Sequence, residues 1–396
     1  LVGCHMSSPR PLRITYIGQT PTEGTGSPII VLRHLRRLAA DGWKITLIPE
    51  GGQDTSACEA EGWTIRHLPL RRPWWPPFRH DNALSRRIRT WLLGRECRRA
   101  TAAEPPDAIF GYLAAHADFS TEIAAHFARQ TGTPLSLLVH DDAAAFTKTD
   151  EERRRLHQRH AWILRQSHRN WFVSPELAAV YDVPDEKRHV LPPIPEGWTP
   201  PGPAEPDLTY PKVYYAGHVW APQYPLMSEI ARTLDSVGAR LVLICKDSPE
   251  LRAFRAEAPV DWLPLFPTNR EALAHLRQHA AGLLVAYTRT VEEMPWIATS
   301  YPSKFIEYSH LHLPCALVAP AASCIGHWAA RRSFPDFFTA AEMPRFAQWA
   351  SELRDPISRA AAIQRIRALA EGEFSPTTIQ HTFQSQLLAT PASAAR

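Results

Sequence analysis

The stretch Ser300-Tyr-Pro-Ser-Lys-Phe-Ile-Glu-Tyr308, running on to Leu313-Pro-Cys-Ala-Leu-Val318, decides how the chain is read. Upstream, Gly282-Leu-Leu-Val-Ala-Tyr287 is an apolar run that predicts a buried strand. Pro302 predicts the first residue of a helix, because its missing N–H and fixed φ cost nothing there. Lys304 and Glu307, three apart, then share one helix face near the positive end of the dipole. Pro314 breaks the chain, and residues 315–318 predict the next strand. A strand, a loop, a helix start, one cation and one carboxylate describe a cradle for a nucleoside diphosphate. Backbone N–H groups, Ser303 and Lys304 would face phosphate, and Glu307 the ribose hydroxyls. The plainer alternative is a capped helix carrying a solvated Lys–Glu pair.

Residues 315–324 hold two of the six cysteines, and the set at 4, 58, 97, 245, 315 and 324 shows neither disulfide nor metal spacing. A reducing, cytoplasmic setting is the expectation. With 396 residues, 44% hydrophobic and 21% charged, the chain has the size and composition of two globular domains. The 37 prolines crowd at residues 73–77 and 192–211, which predicts a loop and a stiff linker. No apolar run reaches the roughly 20 residues needed to span a bilayer. Leu1-Val-Gly-Cys-His-Met6 reads as a cloning scar outside the fold, and no secretion signal is expected.

The opening segment resembles the donor-sugar motif of GT-B glycosyltransferases of the retaining, glycogen-synthase-like group (glycosyltransferase family 4-like). That motif is a Pro-Ser-Lys-x-x-Glu-Tyr run followed by a small residue, a Pro and a hydrophobic strand. Pro302, Ser303, Lys304, Glu307 and Tyr308 carry the match. The resemblance implies an α/β fold of two Rossmann-like domains facing across a cleft, with a C-terminal helix returning to the first. It also implies that Lys304 contacts the donor phosphates and acts in catalysis, and that Glu307 contacts the ribose. The first Glu of the family's spaced pair falls at Thr299 and is absent. Relatives place an Arg and a Lys soon after the glycine ending the first strand of the second domain. Here Gly217 is followed by His218-Val-Trp-Ala-Pro-Gln-Tyr224, with neither. Lys304 and Lys246 are then expected to carry more of the phosphate, with Gly217 admitting close backbone approach and His218 offering a hydrogen bond.

The rest of the chain fits that order. Residues 12–18 alternate as an opening strand, a loop holding Gly24 and Gly26 follows, and residues 29–40 have helical spacing. The loop has neither the dinucleotide fingerprint nor Walker A spacing. By resemblance, Gly24 and Gly26 line the acceptor side. Strands are predicted at 43–48, 63–68, 107–110, 134–140, 170–174 and 188–191. His140 and Asp141 end the near-continuous apolar strand 134–140, where open α/β sheets bind ligands. The resemblance puts His140 near the reacting centre and Asp141 on the acceptor side. In the second half, strands are predicted at 212–217, 240–245 and 260–266, with helices at 225–238, 269–278, 356–370 and 377–388. Residues 323–328 and 334–338 read as loops. The expected domains are 7–195, 210–375 and a closing helix at 376–390.

Charge is uneven. Residues 1–198 hold 26 basic and 22 acidic side chains, the whole of the net charge of +4. Much of it lies between Arg71 and Arg99. Arg71-Arg-Pro-Trp-Trp-Pro-Pro-Phe-Arg-His80 leads into a helix with an apolar stripe of Leu84, Ile88, Trp91 and Leu92 and arginines on the other faces. One reading is a core helix with a solvated basic face. The other is a surface touching anionic lipid or a lipid-linked acceptor. No nucleic-acid recognition module is visible.

The expected function is therefore transfer of a sugar from a nucleotide-diphosphate donor to an acceptor hydroxyl. By resemblance, configuration is retained and neither metal nor cofactor is needed. The acceptor class is a cell-surface polysaccharide, a lipid-linked molecule or a natural product, with the enzyme in the cytoplasm or peripheral to the inner face of the membrane. The alternatives are a nucleotide-sugar epimerase and a non-catalytic, degenerate GT-B binding protein.

Overall fold

The structure is a computed structural model and describes residues 10–23, 26, 28–50, 53–68, 83–113, 118–202 and 204–388. The chain forms two compact units. One runs to Val173, resumes over Ala178–Leu191 and takes the chain from Gln380 onward; the other comprises Ser174–Leu177 and Pro192–Ile379.

The first unit is built on a parallel sheet of β1 (Arg13–Gly18), β2 (Lys44–Pro49), β3 (Thr64–Ile65), β4 (Ala108–Leu113), β5 (Leu135–Val139), β6 (Arg169–Phe172) and β7 (Arg188–Val190). Their order is β3-β2-β1-β4-β5-β6-β7. The chain first winds to one side of β1 and then crosses to the other, so the order reverses between β1 and β4. Strands β4 and β5 are buried along their whole length, as expected of parallel strands covered on both faces. Gly111, one residue past the strand predicted at 107–110, lies inside β4, paired with Ile17 and Leu137.

The helix layer carries a charged clasp. Glu122, on the helix Asp118–Thr131, accepts from Arg86 of the helix Ala83–Ala100 at 2.6 Å and from Arg159 of the helix Asp150–Gln166 at 3.1 Å. From Gln380 onward the last helix, Pro376–Leu387, completes this unit's core. Phe383 is fully buried and lies 4.2 Å from the His34 ring, 4.6 Å from Trp171 and 5.2 Å from Phe110, centroid to centroid. Gln380 and Gln386 accept from His34 Nδ1 and Trp171 Nε1, each at 2.8 Å.

Two members of the predicted apolar stripe, Ile88 and Trp91, do not face the core, and Leu92 is half-buried. Ile88 is 50% and Trp91 47% exposed, whereas Arg89, Leu93 and Cys97 are buried. The helix packs inward through Leu93, Cys97 and the methylene stems of Arg86 and Arg89, whose guanidinium groups lie over the Phe119 ring. Leu84's side chain and the Arg71–His80 run lie outside the described residues.

The second unit holds β8 (Lys212–Ala216), β9 (Arg240–Ile244), β10 (Val260–Leu263), β11 (Gly282–Ala286), β12 (Cys315–Val318) and β13 (Phe337–Phe338), all parallel, in the order β10-β9-β8-β11-β12-β13. Alternation along β8 sends Val213 and Tyr215 into one apolar core and Tyr214 into the other, so the sheet is covered on both faces. Two expected loops are regular instead. Residues Cys324–Arg332 form a helix capped by Ser323, whose hydroxyl accepts from Gly326 N at 3.1 Å, and Phe337–Phe338 add the edge strand. The helices Ser56–Ala60, Pro249–Glu257 and Met343–Glu352 were not expected from the sequence.

Cys58, Cys97, Cys245, Cys315 and Cys324 are free thiols, all buried. Among the described residues no helix is long and apolar enough to cross a membrane.

Removing the Phe383 ring should cost about 3–5 kcal/mol of unfolding free energy. Urea unfolding of Phe383→Ala followed by tryptophan fluorescence checks this. A loss below about 1 kcal/mol would mean the last helix is not part of the first unit's core.

Candidate functional site

In the second unit the strand order reverses between β8 and β11. The crevice beyond the carboxyl ends at such a switch point is where open α/β sheets bind ligands. Gly217 is the first residue after β8 and has φ of +116°, a region closed to most side chains. Its amide donates to Ile244 O at 2.8 Å, which holds the turn against β9.

Lys304 reaches this turn. A Cβ at Gly217 would stand 2.7 Å from both Cε and Nζ of Lys304, so a larger residue would push the end of the lysine aside as well as strain the backbone. The ammonium lies 4.2 Å from the centroid of the Tyr215 ring and donates to the Tyr215 hydroxyl at 3.0 Å. That hydroxyl gives its own proton to His218 O at 2.8 Å, leaving its lone pairs for the lysine. Lys304 is half-buried and, among the described residues, pairs with no carboxylate.

The helix carrying Lys304 runs Ser303–Ser309. Pro302 is its N-cap, with ψ of 100°, rather than its first helical residue as expected. The helix is pinned to the strand by Tyr308. Its buried hydroxyl accepts from Ala216 N at 3.0 Å and lies 3.4 Å from Ala216 O. Burial raises the Tyr308 pKa far above the ordinary phenol value, so it stays a neutral strut.

Glu307 turns to other partners. One carboxylate oxygen accepts from Glu196 N and the other from Asn269 Nδ2, both at 3.3 Å. Both contacts are long for a carboxylate acceptor. Ser303 is exposed at the start of the helix. His218 is exposed with its ring edge-on to Trp220 at 4.5 Å. Lys246 is exposed just beyond the end of β9. The structure thus brings Lys304 and Gly217 into contact and leaves Ser303, His218 and Lys246 open to solvent.

No motif in the sequence marks Tyr215, although Gly217 two residues on marks the strand end. Strand alternation from Val213 would have set Tyr215 on the opposite face from Tyr214. The position of Thr299 is also defined. Its carbonyl accepts from the Ser174 hydroxyl at 2.6 Å, and its own hydroxyl donates to Trp296 O at 3.4 Å.

In the first unit, His140 is the residue after β5 and is 7% exposed. Its ring meets Tyr112 of β4 edge-on at 6.0 Å, and its Nε2 has no hydrogen-bond partner among the described residues. Burial pushes its pKa down to about 3, so it is a neutral imidazole at physiological pH. His34 and His160 are also buried and neutral, at about 3 and about 4, both through burial. Position at a strand's carboxyl end is what separates His140 from them. Asp141 beside it is half-buried. Asp142 is structural: it caps the turn Ala143–Phe146 by accepting from Ala144 N at 3.0 Å, and also binds His157 at 2.9 Å and Tyr181 at 3.3 Å. Gly26 has φ of +79°, two residues before the helix Pro28–Ala40. Gly24 lies outside the described residues. Among the described residues no three His, Cys, Asp or Glu side chains are placed to hold a metal ion.

Residues 25–193 match the model of a glycosyl transferase 4-like domain. No curated protein matches the sequence. Solved structures share the fold of nearly the whole chain. A glycosyltransferase from Rickettsia africae is 10% identical with a TM-score of 0.68, over 95% of this chain and 97% of that one. The Anabaena protein Alr3699/HepE, solved with UDP and glucose, is 11% identical with a TM-score of 0.66, over 96% of this chain and 100% of that one. Sucrose-phosphate synthase from Thermosynechococcus elongatus is 13% identical with a TM-score of 0.64, over 94% of this chain and 98% of that one. The two parallel sheets with flanking helices are the GT-B arrangement of two Rossmann-like domains.

Three buried histidines make stability fall with acid. Their folded pKa values lie below the ordinary 6.5, so the unfolded chain takes up protons that the folded chain resists. The stabilisation is complete above pH 6.5 and is lost as pH falls toward the folded values. Each contributes a slope of roughly 1.4 kcal/mol per pH unit inside that window. The difference in unfolding free energy between the parent and His140→Gln should change by about that slope between roughly pH 6 and 4. Parallel curves would mean His140 is not held neutral.

Proposed function

We propose that this chain is a glycosyltransferase that moves a sugar from a nucleoside-diphosphate donor to an acceptor hydroxyl, with retention of configuration and without a metal ion. The observation that carries the reading is the Lys304 ammonium, held over Gly217 at the switch point of the second sheet with a phenol as its described partner. A half-buried cation without a carboxylate favours an anion beside it. As the sugar leaves, negative charge grows on the diphosphate, and a pre-placed ammonium stabilises that charge without reorganising. Gly217 lets backbone approach the phosphates, and Ser303 and Lys246 stand as further phosphate contacts. Glu307 takes the ribose hydroxyls. The neutral His140 hydrogen-bonds sugar or acceptor without competing for the phosphates.

The glycosyl transferase 4-like match over residues 25–193 and the shared fold support the transfer class. UDP is the first nucleotide to test, because it occupies the Anabaena protein. The acceptor class we favour is lipid-linked, polysaccharide or natural-product hydroxyls, with the chain working at the cytoplasmic face of a membrane.

A second reading, a nucleotide-binding protein without transfer, draws on Thr299 and on the missing cations after Gly217. It predicts nucleotide binding with no turnover. An epimerase would release UDP without any acceptor.

Calorimetry with UDP, GDP and ADP, followed by turnover of the matching sugar nucleotide, separates these readings. Lys304→Ala should lower turnover by about 10²–10³ with an unchanged melting temperature, and Gly217→Ala should weaken nucleotide binding by crowding the lysine. Unaltered turnover in Lys304→Ala would overturn the assignment.

A further inference from the structure

The helix Ala83–Ala100 is the most basic segment of the described chain, with six arginines against one acid, Glu96. The structure divides them. Arg86 and Arg89 turn inward onto Glu122 and the Phe119 ring. Arg87, Arg98 and Arg99 are exposed, and Arg95 is half-exposed. At 3.6 residues per turn these four outer arginines span an arc of about 120°, and Ile88 and Trp91 stand within it.

That placement needs a reason. Single exposed apolar side chains are ordinary. Here two of them, half-exposed and one turn apart, are ringed by cations on a helix whose inward face is already packed by Leu93 and Cys97. The Arg95 guanidinium lies 5.9 Å from the Trp91 ring centroid, so the indole is flanked by charge rather than covered by protein. Glu96 is held by Arg99 at 2.6 Å, and Arg87 and Arg98 have no ion pair among the described residues. An aliphatic and an indole side chain at the centre of a cationic ring match a layer that is apolar within and anionic at its rim. An anionic bilayer is such a layer: Trp settles at the headgroup level, while arginines meet phosphates.

We infer that the outer face of this helix docks the protein on an anionic lipid surface, with Trp91 and Ile88 entering the headgroup region and Arg87, Arg95, Arg98 and Arg99 on lipid phosphates. The inference goes beyond sugar transfer and does not depend on it. Docking is read without nucleotide, so its failure leaves the transfer reading standing.

The test is flotation of the full chain with vesicles of phosphatidylcholine alone or of phosphatidylcholine with phosphatidylglycerol. The chain should float with the anionic vesicles only. It should be released when salt is raised from about 0.1 M to about 1 M, which shortens the screening length from about 10 Å to about 3 Å. Each charge near an anionic leaflet strengthens partitioning about five-fold. Arg87→Glu with Arg98→Glu should therefore lose at least about ten-fold. Ile88→Ser with Trp91→Ser should also reduce flotation, with circular dichroism showing that the variant is folded. Failure of the full chain to float with anionic vesicles would overturn the proposal. So would parental binding by both double variants, or retention on duplex DNA without retention on vesicles.

Discussion

The second unit's site rests on one contact, an ammonium seated on a tyrosine at the end of a strand. A half-buried cation loses hydration that a phenol ring returns only in part, about 0.5–2 kcal/mol by cation–π attraction. Three neighbours favour this position for Lys304. Tyr308 fastens the lysine's helix to Ala216. Gly217 leaves the space beneath the ammonium open, where a Cβ would stand 2.7 Å from Nζ. Tyr215 directs its proton to His218 O and so can only accept from the lysine. The result is positive charge fixed in place before any ligand arrives. Such preorganisation is the form of electrostatics that lowers a barrier most effectively.

The first unit shows the opposite choice at an equivalent strand end. His140 follows a fully buried strand, and burial removes its charge. A neutral imidazole at that place can accept or donate one hydrogen bond, yet attracts no phosphate. The same unit's arginines are divided by the helix layer. Glu122 holds two of them inside, and this clasp fixes the rotation of the helix Ala83–Ala100 that turns Ile88 and Trp91 outward.

Much of this was legible in the sequence, because parallel strands buried on both faces read as apolar runs. Leu135–Val139, Gly282–Ala286 and Cys315–Val318 lie where such runs predict strands. Residue type and place single out Lys304, and the family resemblance singles out Gly217. Their contact was not legible, since it depends on Tyr308 bonding a strand 92 residues away. The failures have physical causes. Ser323–Trp328 reads as a loop because Ser, Cys and Gly favour turns, yet Ser323 caps a helix there. The periodicity at 84–92 does not give the direction in which Ile88 and Trp91 face. A helix with apolar residues on two sides cannot announce which one is buried, and Arg86 and Arg89 reversed the expectation by pairing inward.

The central claim is that the Lys304 ammonium meets a diphosphate. Its most direct test is a crystal of the full chain soaked with UDP. The account predicts a phosphate oxygen about 2.7–3.2 Å from Lys304 Nζ, beside the Gly217 backbone. A diphosphate bound elsewhere, with Lys304 still on Tyr215 alone, would contradict it.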